Sequence, residues 1–387
     1  MFEDVVQFIR NQFNTKEFIP LHAPVFKGNE KKYVLDTIDS TFVSSVGEYV
    51  NRFEKMICDY TGTKYAIAIT NGTAALHLAL IINNVKQNDL VITQPLSFIA
   101  TCNAISYINA RPLFIDVDKN TLSLSAEKLK FFLEEKAFLS NKECFHKETG
   151  ERIKACVPMH TFGQAAEIDT IAELCNKYNI ALIEDAAESL GTIYKGKHTG
   201  TFGLCGTYSF NGNKTITCGG GGMIVTDDEK IAKTAKHLST QAKVAHRWNF
   251  EHDSIAYNYR LPNINAALAC AQMEQLETFI TAKRKLAEAY KEFFSNTSYT
   301  FISEQKNVRS NYWLNAVLLN DESERDAFLA YTNDNNVMTR PCWMLMNKLP
   351  MFKDCPSYDL SNAEWIERRL VNIPSSPILN DLKDQMF

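Results

Sequence analysis

Tyr65-Ala-Ile-Ala-Ile-Thr-Asn-Gly-Thr-Ala-Ala-Leu76 consists of a short apolar run, a polar turn and the beginning of a helical segment that continues to Ile82. Strand-like and helix-like segments alternate in the same way further along the chain. Helical segments are predicted at 98–108 and 167–178, and apolar strand-like runs at 90–93, 112–116, 153–159, 180–184, 208–210 and 223–226. Because buried strands that alternate with helices form parallel sheets, the sequence predicts an α/β fold with a mostly parallel sheet covered by helices on both faces.

The sequence changes character after about Asn258, which predicts a second, smaller domain. A helical segment rich in Ala, Gln, Glu and Lys covers 263–294, and a strand-like run at 313–319 and a helix at 323–331 follow it. We predict a large domain over 1–257, with an N-terminal helical segment, and a smaller C-terminal α+β domain over 258–387. The polar segment at 142–151 predicts a surface loop.

The bulk composition is that of an ordinary globular protein, with 45% hydrophobic and 22% charged residues in a chain of 387. The net charge of −4 and the lack of a basic block argue against nucleic acid binding. The ten cysteines are scattered without zinc-site spacing, which favours reduced thiols and no metal. An acidic N-terminus unlike a signal peptide, and no apolar run of transmembrane length, indicate a cytoplasmic protein away from the membrane.

The turn Asn71-Gly72-Thr73 follows a predicted strand and opens a predicted helix. Free backbone N–H groups and the helix dipole make such a turn a potential anion site. Gly72 would let a phosphate come close, and Thr73 would add a hydroxyl group. The alternative is a plain strand-to-helix turn in which Thr73 is the N-cap residue.

Asp185 ends a predicted buried strand, in Ile183-Glu-Asp185. In an open parallel sheet, ligands bind beyond the carboxyl ends of the strands. An aspartate at that position can keep a pyridinium nitrogen protonated, which lets the ring accept electrons from a carbanion. The alternative is an aspartate that only caps the following turn.

Lys214 lies in Ser209-Phe-Asn-Gly-Asn-Lys214, just after another predicted strand. A lysine amine in a protein site can act as a nucleophile and form a Schiff base, although a solvated lysine is the common alternative. Ser209 could bind a phosphate, and the run Gly219 to Gly222 removes side chains where a cofactor or the backbone passes closely. A lysine, an acid and a helix start are together what pyridoxal phosphate (PLP) requires.

Two further residues follow predicted strand ends. Phe98 could stack on an aromatic cofactor, and its alternative is a core phenylalanine. His160 could reach a substrate, and its alternative is a polar residue of a turn. The motifs H-E-x-x-H and G-x-S-x-G are absent from the sequence, so zinc hydrolase and esterase functions have no motif support.

The chain resembles a known family from about residue 19 to residue 374. The resemblance depends on the segments around Gly72, Asp185 and Lys214 described above, and on Thr41-Phe-Val-Ser-Ser-Val-Gly47 and Tyr257-Asn-Tyr-Arg-Leu261. The chain is similar to the fold-type I PLP aminotransferases of the DegT/StrS type, which act on nucleotide-linked keto sugars. Three segments look closest to the legionaminic-acid or bacillosamine branch: Pro20-Leu-His22, Pro158-Met-His-Thr-Phe-Gly163 and Ser209-Phe-Asn-Gly-Asn-Lys214. The resemblance implies transfer of an amino group from L-glutamate to C4 of a UDP- or GDP-linked 4-keto-6-deoxy-N-acetylhexosamine.

The resemblance also implies roles for individual residues. Lys214 would hold PLP and shuttle a proton, Asp185 would pair with the pyridine nitrogen, and Glu188 would face the phenolic oxygen. The remaining implied cofactor contacts are the phosphate-binding Gly72, Thr73 and Ser209, the ring-stacking Phe98, and Asn258. Asn258 would reach the phosphate of the neighbouring subunit, so the active unit would be a homodimer with shared sites. Substrate contacts are expected at Ser45, His160, Gln241, Lys243 and Arg340. For all of these except His160, the alternative is an ordinary polar residue of the protein surface.

Glu188 departs from the common pattern, because many relatives carry glutamine or histidine there. A carboxylate beside a phenolate oxygen is repulsive unless the two share a proton. Two other functions stay open: a PLP-dependent sugar dehydratase and a non-catalytic regulatory protein of the same fold. Relatives that became dehydratases carry histidine in place of the lysine, so Lys214 argues against that outcome, and against a regulator that would lack it.

Overall fold

The computed structural model describes residues 1–379, which form helices and strands over most of their length. The α-helices are α1 (Phe2–Phe13), α2 (Glu30–Asp39), α3 (Glu48–Thr61), α4 (Gly72–Ile82), α5 (Ile99–Ser106), α6 (Ala126–Lys136), α7 (Ile168–Lys177), α8 (Glu229–Ser239), α9 (Asn263–Met273), α10 (Leu276–Phe294), α11 (Glu322–Asp334) and α12 (Ser361–Glu367). Short 3₁₀ turns lie at Thr161–Gly163 and Met346–Lys348.

The strands are β1 (Tyr65–Ile69), β2 (Leu90–Thr93), β3 (Arg111–Ile115), β4 (Ala137–Ser140), β5 (Glu143–His146), β6 (Arg152–Cys156), β7 (Ala181–Asp185), β8 (Ile193–Tyr194), β9 (Lys197–His198), β10 (Cys205–Ser209), β11 (Gly222–Thr226), β12 (Lys243–Val244), β13 (Glu251–His252), β14 (Thr300–Phe301), β15 (Val308–Arg309), β16 (Asn315–Leu318), β17 (Arg340–Pro341), β18 (Ser357–Tyr358) and β19 (Leu370–Ile373).

The main sheet runs in the order β1-β11-β10-β7-β6-β2-β3-β18, with the β4-β5 hairpin attached to β6. Its central strands β10, β7, β6, β2 and β3 are all parallel. β11 runs antiparallel to its neighbours β10 and β1, and β5 runs antiparallel to β4 and β6. The prediction of an α/β fold with a mostly parallel sheet is therefore confirmed. The carboxyl ends of β1, β7 and β10 meet at one edge, where ligands bind in open sheets of this kind.

Both faces of this sheet are covered, which explains why its strands read as continuous apolar runs. Every residue of β2 and of β7 is buried. Along β1, Ala66 and Ala68 pack against α3 and α9, whereas Ile67 and Ile69 pack against α4 and α8. This alternation of side chains between two apolar layers is the period-2 pattern of a strand buried on both faces.

The C-terminal part of the described chain carries an antiparallel sheet in the order β14-β16-β19-β17. Its buried face packs with α10 and α11 and also with α1, through side chains such as Ile9, Tyr290 and Phe328. The N-terminal helix thus packs with C-terminal residues, and β18 pairs with β3 of the main sheet. Residues 380–387 of the proposed small domain lie outside the described residues, and the division at 257/258 stays a prediction.

Two local predictions are wrong. The segment 142–151 contains β5, which pairs with β4 and β6, because Cys144 and His146 turn into the core and His146 stacks on Phe132 at 5.8 Å. The predicted long helix over 263–294 is two helices, α9 and α10. At the break, the side chain of Gln275 donates to the buried carboxylate of Glu30 at 2.7 Å, which anchors the turn between the helices.

Within residues 1–379, no helix combines the length and the apolar character needed to cross a membrane.

Candidate active site

A cavity of about 310 Å³ opens at the carboxyl edge of the main sheet. It lies between the beginning of α4 and the ends of β7 and β10. The sequence-predicted residues that line it are Gly72, Thr73, Phe98, Asp185, Glu188, Ser209 and Lys214. The fold therefore brings together residues that are up to 142 positions apart, from 72 to 214.

The beginning of α4 is capped by Asn71, whose Oδ1 atom accepts a hydrogen bond from the N–H of Ala74 at 2.8 Å. The alternative in which Thr73 is the N-cap residue is therefore wrong. Because Asn71 fills that role, the Thr73 hydroxyl is available to a ligand at the cavity wall. The first turn of any helix also leaves backbone N–H groups without helical partners, and these attract an anion.

Gly72 is required by close packing at this turn. A Cβ atom at position 72 would lie 2.9 Å from Cβ and 3.1 Å from Oγ of Ser209. Gly222 is required for the same reason, since a Cβ there would lie 2.4 Å from the carbonyl oxygen of Asn71. The glycines thus let β11, the α4 turn and Ser209 come together, which places a serine hydroxyl beside the helix N-terminus.

Asp185 ends β7 and is 3% exposed. Its Oδ2 atom accepts a hydrogen bond from the Thr101 hydroxyl at 2.7 Å, and its Oδ1 atom accepts one from the N–H of Ala187 at 3.1 Å. Burial raises the pKa of Asp185, and these two donors oppose the rise. The carboxylate therefore caps the next turn and also faces the cavity. Its remaining lone pairs can accept a hydrogen bond from a protonated ring nitrogen.

Lys214 and Glu188 form an ion pair in the cavity wall. The Nζ atom of Lys214 lies 3.4 Å from Oε1 of Glu188 and 3.9 Å from the ring centroid of Trp313. The other carboxylate oxygen of Glu188 accepts a hydrogen bond from the N–H of Phe162 at 2.8 Å. Burial raises the pKa of Glu188 to about 7, with the Lys214 charge and the Phe162 N–H opposing the shift.

His160 does not line the cavity. It is fully buried, its Nε2 atom lies 3.1 Å from Oε2 of Glu184, and its Nδ1 atom accepts from the N–H of Ala166 at 3.2 Å. These bonds define a neutral ring with the proton on Nε2. The backbone N–H of His160 donates to the carbonyl of Asp185 at 3.1 Å, so the residue supports the site from behind and cannot contact a substrate.

The other predicted residues lie outside this cavity in the single chain. Asn258 is exposed, and its Oδ1 atom accepts from Arg260 at 3.3 Å. Arg340 is exposed and donates to Asn333 at 3.1 Å. The remaining three, in the exposed β12-β13 region or before α3, are Ser45, Gln241 and Lys243. Their roles toward substrate or a neighbouring subunit stay predictions.

Sequence reasoning missed three residues of the site: the buried Thr101, which contacts Asp185, and the two cavity-lining residues Trp313 and Trp343. Thr101 is buried in the first turn of α5 and donates to Asp185, and no local pattern in the sequence distinguishes it from a core residue. Trp313 and Trp343 come from the C-terminal part of the chain and line the cavity together with Phe98. The Trp343 ring lies 6.1 Å from that of Phe98. Nothing in the sequence indicated that these tryptophans meet the lysine segment.

The arrangement fits pyridoxal phosphate. One cavity offers an amine, a buried carboxylate and a helix N-terminus with two hydroxyl side chains, and its volume suits one aromatic ring with a phosphate. Together with a mostly parallel sheet covered on both faces, these features define a fold-type I PLP enzyme.

Comparison with known proteins identifies the family. The sequence profile of the DegT/DnrJ/EryC1/StrS aminotransferase family matches residues 24–385, and the chain belongs to this family of PLP-dependent nucleotide-sugar aminotransferases. It is 37% identical to GDP-perosamine synthase of Escherichia coli O157:H7 over 366 residues, covering 94% of this chain and 95% of the relative. It is 36% identical to GDP-perosamine synthase of Vibrio cholerae over 368 residues, with the same two coverages.

A solved structure shows the same architecture. The aminotransferase TlmJ of Streptoalloteichus hindustanus superimposes with a TM-score of 0.84 at 25% sequence identity. The superposition covers 92% of this chain and 93% of that structure. The likeness therefore extends over the main sheet and the C-terminal sheet together.

Proposed function

We propose that this protein transfers the amino group of L-glutamate to C4 of a nucleotide-linked 4-keto-6-deoxyhexose. The observation that carries the proposal is the meeting of Lys214, Asp185 and the α4 N-terminus in one cavity. Lysine and aspartate are the two groups that PLP-dependent amino transfer needs from the protein. The family match adds the sugar-nucleotide class of substrate.

Two observations support different acceptors. The relatives named GDP-perosamine synthase, at 37% and 36% identity, support a GDP-linked sugar. The segments Pro20-Leu-His22 and Pro158-Met-His-Thr-Phe-Gly163 resemble the legionaminic-acid and bacillosamine branch, and support a UDP- or GDP-linked N-acetylated sugar. In both proposals the carbon that receives the amine is the C4 ketone carbon of a 6-deoxy sugar.

Each part of the cavity has a defined task in this reaction. PLP supplies an electron sink for the carbon that loses its proton. The α4 N-terminus, Thr73 and Ser209 bind the phosphate, and Asp185 holds a proton on the ring nitrogen. The amine of Lys214 takes the proton from the amino-acid Cα, and later returns a proton to C4 of the sugar.

Glu188 would hold a proton near the phenolic oxygen of bound PLP. Its pKa of about 7 lets the carboxyl group be protonated at neutral pH, which removes the repulsion between two anionic oxygens. When the amine of Lys214 carries a proton instead, the carboxylate form of Glu188 pairs with it at 3.4 Å. Glu188 can therefore stabilise the site both when its own carboxyl group carries the proton and when the amine of Lys214 carries it.

We further propose a homodimer in which Asn258 completes the partner's site. The hairpin β12-β13 and the residues after it expose large apolar side chains: Trp248 is 69% exposed, Phe250 84% and Ile255 94%. Exposed apolar groups at such density favour burial against a second copy. Asn258 follows directly and is itself exposed, so a dimer that covers this region can carry Asn258 to the neighbouring cavity.

Amino transfer is tested with purified enzyme, L-glutamate and a panel of GDP- and UDP-linked 4-keto-6-deoxy sugars, with and without the 2-acetamido group. Mass spectrometry should find an amino sugar and 2-oxoglutarate. Loss of a hydroxyl without amine transfer would identify a dehydratase instead. The PLP absorbance near 410–430 nm, about where lysine-bound PLP absorbs, should disappear in Lys214→Ala and persist in Lys233→Ala, whose side chain is 75% exposed on α8.

The shared site is tested by complementation. Lys214→Ala and Asn258→Ala chains are co-expressed with different tags, and the mixed dimer is purified. Because one of its two sites contains both native residues, it should regain about half of the wild-type activity. A mixed dimer as impaired as the two parent variants, or a wild-type protein that is monomeric by light scattering, would contradict the shared site.

A further inference from the structure

Asn311 joins three parts of the active-site wall. It is fully buried, and its Nδ2 atom donates to the carbonyl oxygens of Glu188 and Leu190, both at 2.9 Å. Its Oδ1 atom accepts from the N–H of Trp313 at 2.9 Å. A Cβ atom at Gly163 would lie 1.9 Å from that oxygen, so the neighbouring loop closely surrounds the amide. Asn311 therefore fixes the position of Trp313 relative to the Glu188 segment.

Trp313 is held at both its backbone and its ring. Its carbonyl oxygen accepts from the Nζ atom of Lys283 at 3.1 Å, and Lys283, fully buried on α10, also donates to the carbonyl of Ser375. The indole Nε1–H donates to the carbonyl oxygen of Asn213 at 2.7 Å. The ring is 4% exposed, so its orientation is set by these bonds and by packing.

The residue that follows Asn213 is Lys214. The Nζ atom of Lys214 lies 3.9 Å from the centre of the indole ring and 3.4 Å from Oε1 of Glu188. A cation over an indole face is attracted by the ring quadrupole. Trp313 thus contacts both the backbone that carries the lysine and the ammonium group itself.

We infer that Trp313 is a positioning residue for Lys214. This inference rests on the proposed function, because it assigns Lys214 the task of bonding PLP. The indole fixes the 211–214 segment through Asn213 and, together with Glu188, holds the amine by direct contact. The amine is then already directed into the cavity when PLP enters, so fewer side-chain conformations are lost on capture. Trp313, from the C-terminal part of the chain, thereby sets the position of Lys214, which follows β10 of the main sheet.

The test measures how apoenzyme captures PLP, by the rate at which the lysine-bound absorbance appears. Trp313→Leu removes both the ring face and the Nε1–H donor, and should slow capture about tenfold. Trp313→Phe keeps a ring face and should stay within about threefold of wild type. The control is Trp365→Phe on α12, a tryptophan that lies over Lys119 at 4.5 Å and does not line the cavity; its rate should equal that of wild type.

A second background separates positioning from structural damage or direct contact with PLP. In Lys214→Ala protein, PLP binds only without the covalent bond, and its dissociation constant is measured by equilibrium dialysis. If Trp313 acts through the lysine, Trp313→Phe and Trp313→Leu should change this constant by less than about twofold. An equal loss of affinity with and without the lysine would overturn the inference, as would capture by Trp313→Leu at the wild-type rate.

The outcomes also distinguish the two levels of proposal. Wild-type apoenzyme that forms no lysine-bound PLP would contradict the proposed function. Wild-type apoenzyme that captures PLP, with both Trp313 variants equally fast, would contradict only the role of Trp313. Thermal unfolding of each apo variant shows whether it is folded, and Trp313→Phe keeps the test valid if the leucine variant does not fold.

Discussion

The amine of Lys214 lies 3.4 Å from Oε1 of Glu188, in a cavity wall where the glutamate is only 2% exposed. Burial raises the pKa of this carboxyl group to about 7, even though the ammonium opposes the shift. Glu188 is therefore a group that titrates near neutral pH. Its protonation has consequences for stability that can be measured without any cofactor.

Glu188→Gln should remove a pH dependence of stability. An unfolded glutamate loses its proton near 4.5, whereas folded Glu188 loses it near 7. Between these values the folded state binds more protons, so the contribution is fully present below pH 4.5 and is lost as the pH rises through 7. We expect the free energy of unfolding of wild type, relative to the variant, to fall by about 3 kcal/mol over that window.

The measurement is urea unfolding of apoenzyme at pH 5 and pH 8. Glu173→Gln, on the exposed side of α7, serves as the control and should follow wild type at both pH values. A wild-type and a Glu188→Gln protein with the same change between the two pH values would show that Glu188 does not titrate in this window.

Thr101→Val should weaken the binding of PLP through its effect on Asp185. The variant keeps the shape of the side chain and removes the hydroxyl that donates to Asp185 at 2.7 Å. Losing a hydrogen bond to a buried charged group costs about 1.5–3 kcal/mol, so the aspartate carboxylate becomes less stable and its pKa rises further. We expect about tenfold weaker PLP binding and a lower kcat.

Thr101→Ser is the matched control for that change, because it restores the hydroxyl without the methyl group. Its PLP affinity, measured by equilibrium dialysis, should return to within about threefold of wild type. Equal loss in the serine and valine variants would assign the effect to packing around α5 and not to the hydrogen bond.

Gly72→Ala should disturb the phosphate end of the site. The new Cβ atom would lie 2.9 Å from Cβ of Ser209, so the α4 turn and β10 must move apart. Overpacking of this kind costs about 1–3 kcal/mol, and the displaced groups are those that we propose to bind phosphate. We expect PLP affinity to fall by about tenfold or more, as measured by absorbance titration.

The chain offers a close control in Gly212→Ala, in the lysine segment itself. A Cβ at position 212 would meet no atom of residues 1–379 within 4 Å. That variant should bind PLP like wild type. If Gly72→Ala also bound normally, the α4 turn would not be the phosphate site.

The residues that could be predicted from the sequence share one property: each follows its own strand. Gly72, Asp185 and Lys214 lie just after β1, at the end of β7 and just after β10, and the parallel order of the strands brings those ends to one edge. The spacing of apolar residues, the polar residues at strand ends and the glycines are all visible within a short stretch of sequence. The main sheet and most of the candidate site follow from them.

The rest depends on long-range packing that has no local signal. Trp313 meets Asn213 across 100 positions, through the fold of the C-terminal part. The segment that contains β5 is polar in sequence, and the two buried residues of β5 alternate with half-buried ones, so no apolar run marks the strand. His160 shows the opposite error: it follows a strand end as a ligand contact would, but the neighbouring Glu184 and Ala166 consume both ring nitrogens.

His160→Gln should therefore affect stability and leave substrate affinity unchanged. The variant breaks the bonds to Glu184 and Ala166 in a fully buried position, so that at least one polar partner is left unsatisfied. We expect a loss of about 1–3 kcal/mol of unfolding free energy, measured by urea denaturation of the apoenzyme. The KM values for glutamate and for the sugar nucleotide should stay within about twofold of wild type, because the ring does not reach the cavity. A KM raised tenfold in a variant of normal stability would return His160 to the substrate site.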